Sequence, residues 1–127
     1  MALFLTPEQI VEIHQALATR FGGSSLVRDY GLLESAVSAP QETRFGELIN
    51  RTLRSQAATY WMSLAINRPF VEGNGRTGLV ACEVFLQMNG FQLDMDEAKV
   101  EDVVRRLASR QITTKERLLQ TFRIRAL

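Results

Sequence analysis

The sequence contains one cysteine, one histidine and three prolines among 127 residues. A single cysteine excludes an intramolecular disulfide, and we expect Cys82 to pack as a small apolar side chain. No apolar run approaches the roughly 20 residues that a membrane-spanning helix needs. The first residues also lack the basic start and long apolar segment of a secretory signal. We therefore expect a cytoplasmic protein that makes no contact with a membrane.

An excess of either charge is also missing, since the formal net charge is +1 at pH 7. This balance gives no indication of a nucleic-acid partner. Charge is uneven, however, because residues 101–127 contain seven Arg and Lys against three Asp and Glu. We interpret this basic end as the solvated faces of two helices, with a docking surface for an acidic partner as the alternative. A hydrophobic content of 46% is typical of a folded domain, and we predict one domain over residues 1–127.

The spacing of apolar residues predicts an all-α fold of about six helices. The first helix follows Thr6, which can form a capping box with Gln9, and it ends at Gly22. A buried central helix is expected to end at Met88, because residues 79–88 are apolar on nearly all sides. Further helices are expected at about 29–38, at about 50–67, from Asp96, and from Thr113, which is expected to form a capping box with Glu116.

Patterns typical of β-strands are nearly absent, so at most a small hairpin is expected. Residues 40–47 have no clear period and are predicted to form an exposed loop or that hairpin. Residues 3–5 are long enough only for an edge strand. The single histidine, His14, lies on the apolar stripe of the first helix, and we predict a packed or partner-facing position for it with no catalytic role.

A glycine-rich turn between two predicted helices carries the clearest chemical signal. Gly73, Gly75 and Gly78 fall within six residues. Glycine lets the backbone approach a ligand closely, and a helix N-terminus presents free N–H groups to an anion. Arg76 in the first turn adds a guanidinium suited to phosphate, and Glu72 is a candidate Mg²⁺ ligand. A plain glycine-rich connection is the alternative, but the charged and amide residues around the glycines favour a phosphate site.

Residues 68–76, with the sequence RPFVEGNGR, resemble the Fic motif, His-Pro-Phe-x-(Asp/Glu)-Gly-Asn-(Gly/Lys)-Arg. Segments 5–10, 21–23, 27–36, 40–41 and 85–91 resemble the death-on-curing (Doc) branch of the same Fic/Doc family, so the likeness covers nearly the whole chain. The resemblance implies a compact helical Fic fold with a β-hairpin flap. It also implies transfer of part of a nucleotide, most often AMP from ATP, to a hydroxyl of a host protein.

The same resemblance implies a role for each residue of the motif. Glu72 would bind Mg²⁺, Phe70 would anchor the loop in the core, and Arg76 would hold the terminal phosphates. The anion hole would consist of Gly73, Asn74 and Gly75, with Asn74 and Arg76 counted among the catalytic residues. The flap that docks an extended segment of the target protein would contain Gln41, Glu42, Thr43, Arg44 and Phe45.

Arg68 departs from the family pattern at the position of the catalytic histidine. That histidine takes the proton from the attacking hydroxyl, whereas arginine keeps its own proton in proteins. We therefore expect this chain to be catalytically weak or inactive. The substitution was either made or selected because the active form harms its host, or it is a natural loss that leaves a nucleotide- or protein-binding module. The otherwise intact motif favours the first explanation.

Two further residues bear on the reaction. Gly75 follows the pattern of AMP transfer, whereas Doc-type motifs usually carry lysine there, so AMP transfer is favoured over a Doc-like kinase acting on a translation factor. Leu79 occupies the position of a second arginine in many Fic proteins, which leaves the γ-phosphate contacts open. The family's inhibitory motif, (Ser/Thr)-x-x-x-Glu-(Gly/Asn), has no convincing match, so we expect a separate antitoxin that lays an amphipathic helix in a groove.

Overall fold

Six α-helices make up most of the computed structural model, which describes residues 2–127. The helices are α1 (Pro7–Phe21), α2 (Tyr30–Ser38), α3 (Leu53–Asn67), α4 (Asn74–Met88), α5 (Glu97–Ala108) and α6 (Lys115–Leu119), with a 3₁₀ turn at Ala39–Gln41. Two antiparallel pairs accompany them, β1 (Thr43–Arg44) with β2 (Glu47–Leu48) and β3 (Phe91–Leu93) with β4 (Ile124–Ala126). The predicted helical fold with a small hairpin is confirmed.

Helices α3 and α4 form the centre of the core. Tyr60 and Trp61 of α3 and Phe85 of α4 are fully buried. Cys82 is also buried and free, as predicted, and burial raises the pKa of its thiol. The Tyr60 hydroxyl accepts a hydrogen bond from the Leu5 N–H at 2.9 Å, while burial raises the pKa of Tyr60 to about 12. This hydrogen bond ties the chain ahead of α1 to α3. No helix within residues 2–127 is long and apolar enough to cross a membrane.

Capping residues set most helix starts where the sequence predicts them. The Thr6–Gln9 capping box of α1 is confirmed, and Asp96 caps α5. The predicted box of Thr113 with Glu116 is wrong, because Thr114 caps α6 instead and accepts from the Arg117 N–H at 3.2 Å.

Helix α3 starts at Leu53 rather than near Asn50. Asn50 is buried ahead of the helix, where its Oδ1 accepts hydrogen bonds from Ser55, Thr59 and Lys115. The N-cap of α3 is Thr52, whose side chain accepts a hydrogen bond from the Ser55 N–H, so Asn50 lies ahead of the first helical turn.

The β3–β4 pair was missed by the sequence analysis, which predicted at most one hairpin. Each strand has only three residues, too few to show an alternating pattern, and Phe91 pairs with Ala126 from the far end of the chain. Their meeting depends on how α6 is held. Arg54 of α3 donates to the carbonyl oxygens of Leu119 and Phe122, which turns the chain back toward α4. Residues 3–5 do not form the edge strand considered above.

The burial of Glu83 in α4 predicts that the free energy of unfolding depends on pH. It is half-buried and forms no ion pair within residues 2–127, and burial raises the pKa of its carboxyl. The folded state therefore binds this proton more readily than the unfolded state, so Glu83 costs stability above its folded pKa and nothing below the ordinary carboxyl pKa. We expect Glu83→Gln to raise the melting temperature at about pH 7 but not at about pH 3.5. Exposed Glu101→Gln is the control in thermal unfolding, and an equal shift at both pH values would contradict the prediction.

Candidate functional site

The glycine-rich turn connects the two central helices through two residues in the left-handed conformation. Helix α3 is terminated by Arg68 with φ of 52°, whose N–H donates to the Leu64 carbonyl oxygen at 3.2 Å. Helix α4 begins after Gly73, its N-cap, with φ of 79°. Glycine adopts this conformation freely, whereas arginine bears a cost of about 1 kcal/mol. Contacts from elsewhere must therefore hold Arg68 in place.

The chain between α1 and α2 supplies those contacts. The guanidinium of Arg28 donates to the Arg68 carbonyl oxygen from Nε at 2.9 Å and from Nη2 at 2.5 Å, and to the Asn67 carbonyl oxygen at 3.1 Å. The N–H of Arg28 also donates to the Pro69 carbonyl oxygen at 2.7 Å, and Val27 forms an antiparallel bridge with Phe70. Sequence reasoning missed Arg28, because nothing local to it indicates a partner 40 residues away.

Phe70 anchors the turn in the core, as the resemblance implied. It is 1% exposed and its ring stacks on His14 with centroids 3.7 Å apart and planes 6° apart. His14 is packed, as predicted, but it also touches the turn directly, since its Nε2 lies 2.8 Å from the Glu72 carbonyl oxygen. No local pattern indicates this contact, which spans 58 residues of the chain.

Asn74 uses its side chain to close the turn. Its Oδ1 accepts from the Phe70 N–H at 2.9 Å, and its Nδ2 donates to the Phe70 carbonyl oxygen at 3.0 Å. The first N–H to enter the α4 ladder is that of Thr77, which leaves the N–H groups of Asn74, Gly75 and Arg76 outside it. A ligand would therefore meet backbone donors here, while the buried Asn74 amide maintains their arrangement.

A pocket of about 340 Å³ opens at the start of α4. Arg68, Arg76 and Arg110 line it, and none of these guanidinium groups forms an ion pair in the described part of the chain. Gly73–Gly75 lie at the same pocket, and an apolar wall completes it with Ala65, Val104, Leu107 and Ala108. Arg110, which follows α5, was not among the predicted residues. The pocket combines these three guanidinium groups with the carboxylate of Glu72 and an apolar wall, and the excess of positive charge suits an anionic ligand that has an apolar part.

Glu72 lies between this pocket and a smaller one of about 210 Å³, and it lines both. Its Oε1 accepts a hydrogen bond from the Ser24 N–H at 2.6 Å, and the Cβ of any residue replacing Gly23 would overlap the same oxygen. The Arg76 guanidinium also borders both pockets and lies 4.1 Å from the ring centroid of Phe21. Glycine at position 23 thus keeps space for a carboxylate held at the pocket border.

The donor set around Glu72 fits Mg²⁺ as a companion of a phosphate rather than as a resident metal. Residues 2–127 contain no group of three or more His, Cys, Asp or Glu side chains that could hold a metal ion. Mg²⁺ is commonly bound by one or two carboxylates together with substrate phosphates and water. Glu72 can supply one such oxygen.

The predicted flap forms a hairpin rather than an irregular loop. Gln41 ends the 3₁₀ turn, Glu42 follows it, and Thr43 and Arg44 pair with Leu48 and Glu47. Phe45 at the tip is 99% exposed. None of these residues lines the pocket at α4. Within residues 2–127 no third strand pairs with β1 or β2. The backbone N–H and C=O groups on the outer edges of the hairpin can therefore pair with an extended strand of another protein.

Comparisons with known proteins identify a family and two relatives of this chain. Residues 4–86 match the family model described as the Fic/DOC family. The chain is 45% identical over 92 residues to a protein named Toxin Doc from Mycolicibacterium smegmatis, a match that covers 71% of each chain. It is 29% identical over 109 residues to a protein named Protein kinase doc from Escherichia phage P1, covering 86% of this chain and 85% of that one.

Proposed function

Because this chain belongs to the Fic/Doc family, in its Doc-type branch, we propose that it binds a Mg²⁺–nucleoside triphosphate, ATP in the first instance, at the start of α4. The observation that carries the proposal is the pocket in which the N–H groups of residues 74–76, outside the α4 ladder, meet the guanidinium of Arg76, which forms no ion pair within residues 2–127. Backbone donors at a helix N-terminus favour phosphate, and the guanidinium adds charge-assisted hydrogen bonds. The apolar wall from α5 offers room for the adenine ring of the nucleotide.

We propose that the family reaction is transfer of AMP to a hydroxyl of a host protein. The hydroxyl oxygen would bond to the α-phosphorus, the bond from that phosphorus to the bridging oxygen of the β-phosphate would break, and pyrophosphate would leave. A base must accept the hydroxyl proton. Mg²⁺ would neutralise charge on the phosphates when bound beside Glu72.

Arg68 explains why this chain would bind nucleotide without transferring it. Its side chain lines the pocket but stays protonated, so it adds positive charge and offers no base. His14 is no substitute, because it is 2% exposed beneath Phe70 and its Nε2 already contacts the Glu72 carbonyl oxygen. The chain would then be the disarmed form of a toxin.

Binding is tested by calorimetry of the unaltered chain with Mg²⁺–ATP. We expect Arg76→Ala to weaken binding by about ten- to a hundredfold, because it removes a guanidinium that can form charge-assisted hydrogen bonds with the phosphates, each worth about 1.5–3 kcal/mol. Arg117→Ala, an exposed arginine of α6, makes the same charge change away from the pocket and serves as the control. Equal affinities for all three proteins would show that Arg76 does not hold the phosphates, and no binding by any of them would favour a binding module that uses no nucleotide.

The kinase named among the relatives makes phosphate transfer the second candidate. The two reactions differ in which phosphate reaches the target. The Arg68→His protein should be incubated with a bacterial lysate and ATP labelled at either the α- or the γ-phosphate. Label from the α-phosphate on a protein means AMP transfer, and label from the γ-phosphate means a kinase. Absence of both, with the unaltered chain as the background control, would contradict an enzyme of either kind.

We also propose that a separate antitoxin protein restrains the active form, and that the target is a host protein such as a translation factor. The name of the mycobacterial relative, Toxin Doc, supports the first part. The exposed flap supports the second, because its open strand edge can dock an extended segment of another protein.

A further inference from the structure

A buried histidine beneath the glycine-rich turn has no role in the proposed reaction. We propose that His14 is a positioning residue that holds the backbone of Glu72 and Gly73 in the position that a ligand at the start of α4 needs. It lies on α1, 2% exposed, and it is distant in sequence from every residue of the motif. The part of this inference that concerns ligand affinity rests on the proposed function, whereas the part that concerns the turn does not.

The imidazole contacts two residues of the turn and lies close to a third. It stacks parallel to Phe70 at 3.7 Å, its Nε2 lies 2.8 Å from the Glu72 carbonyl oxygen, and the same Nε2 would lie 3.5 Å from a Cβ at Gly73. Because a carbonyl oxygen can only accept, Nε2 must carry the proton and donate it. The tautomer of the ring is therefore determined by this hydrogen bond.

The other ring nitrogen shows that packing alone is a poor reason for a histidine here. Nδ1 of His14 is buried and has no hydrogen-bond partner in residues 2–127. A buried polar atom without a partner costs free energy, which an apolar side chain of similar size would avoid. What the histidine adds beyond an apolar residue is the hydrogen bond from Nε2 to the turn.

That hydrogen bond acts on the candidate ligand-binding atoms through the backbone. The side-chain carboxylate of Glu72 accepts a hydrogen bond from the Ser24 N–H, and its backbone carbonyl oxygen accepts one from His14. Both the side chain and the backbone of Glu72 are therefore held in place. Gly73 follows directly and is the N-cap of α4. A small tilt at Gly73 would redirect the N–H groups of residues 74–76, so His14 controls the pocket without touching the ligand.

The variants His14→Gln and His14→Met separate this role from packing. Both side chains have similar length and both lose the stack on Phe70, but only glutamine can donate to the Glu72 carbonyl oxygen. Two amides report on the turn, since Phe70 N–H donates to Asn74 Oδ1 at 2.9 Å and Thr77 N–H donates to the Gly73 carbonyl oxygen at 3.0 Å. We expect both amides to exchange about five- to tenfold faster in the Met variant than in the Gln variant. The dissociation constant for Mg²⁺–ATP should rise by a similar factor.

The melting temperature distinguishes positioning from stability. We expect the Met variant to melt no lower than the Gln variant, because methionine suits the apolar stripe. Equal exchange at Phe70 and Thr77 in the two variants would overturn the inference, as would a lower melting temperature of the Met variant that alone accounts for its faster exchange. Exchange needs no nucleotide, so a failure to bind Mg²⁺–ATP would refute the proposed function and leave this test intact. If the Met variant does not fold, His14→Asn, whose shorter amide does not reach the turn, takes its place with the same expected result.

Discussion

Induction of the Arg68→His protein in a bacterial host is expected to stop growth, while the unaltered chain leaves growth unchanged. The substitution places a side chain that can lose its proton near neutral pH at the pocket that holds Arg76 and the free N–H groups of α4. A positioned general base contributes about 10²- to 10⁴-fold to a rate, which separates a harmless chain from a toxic one. The backbone at position 68 is already held by Arg28, so the imidazole enters a prepared position.

Two controls make the growth experiment specific. The double variant Arg68→His with Arg76→Ala should be harmless, because it regains the base but loses the phosphate contact. Arg68→Gln removes the charge without supplying a base and should also be harmless. Normal growth with Arg68→His, in cells that contain the folded protein, would count against the toxin and in favour of a binding module.

Gly78→Ala is expected to lower the free energy of unfolding by about 1–3 kcal/mol. A Cβ at this position would lie 2.7 Å from the Trp61 carbonyl oxygen and 3.3 Å from the Trp61 Cα. Both atoms belong to the backbone of α3, so no side-chain rotation can relieve the overlap, and the two central helices must separate. Helix propensity alone predicts the opposite sign, since alanine is better than glycine in a helix by about 1 kcal/mol. The steric cost should prevail because Trp61 and its surroundings are fully buried.

Gly75→Ala is the matched control for this stability prediction. It lies in the same helix, and a Cβ there would have Val104 Cγ1 as its nearest heavy atom at 3.9 Å, an ordinary contact. We expect this variant to be unchanged or stabilised by up to about 1 kcal/mol. Urea unfolding should therefore show a loss of stability for Gly78→Ala and none for Gly75→Ala, and stabilisation by Gly78→Ala would show that α3 and α4 can separate at little cost.

Local chemistry allowed much of the helical framework to be predicted. The Thr6–Gln9 capping box, the Asp96 cap and the glycines around α4 act within a few residues of themselves, so their effects are visible in the sequence. The errors fall where distant groups compete with local ones. Asn50 is bonded by Ser55, Thr59 and Lys115 instead of joining α3, and the three-residue strands β3 and β4 pair across the chain.

The helices and the glycine-rich turn could be predicted from local signals, because capping, periodicity and glycine content act over short distances. The side chains that support that turn are brought to it by the packing of the helices. Arg28 reaches it across 40 residues and His14 across 58. Arg110 joins the same pocket from the end of α5. These contacts depend on how α1, α3, α4 and α5 pack together, and hydrogen bonds and cations that meet only through packing leave no periodic trace in the sequence.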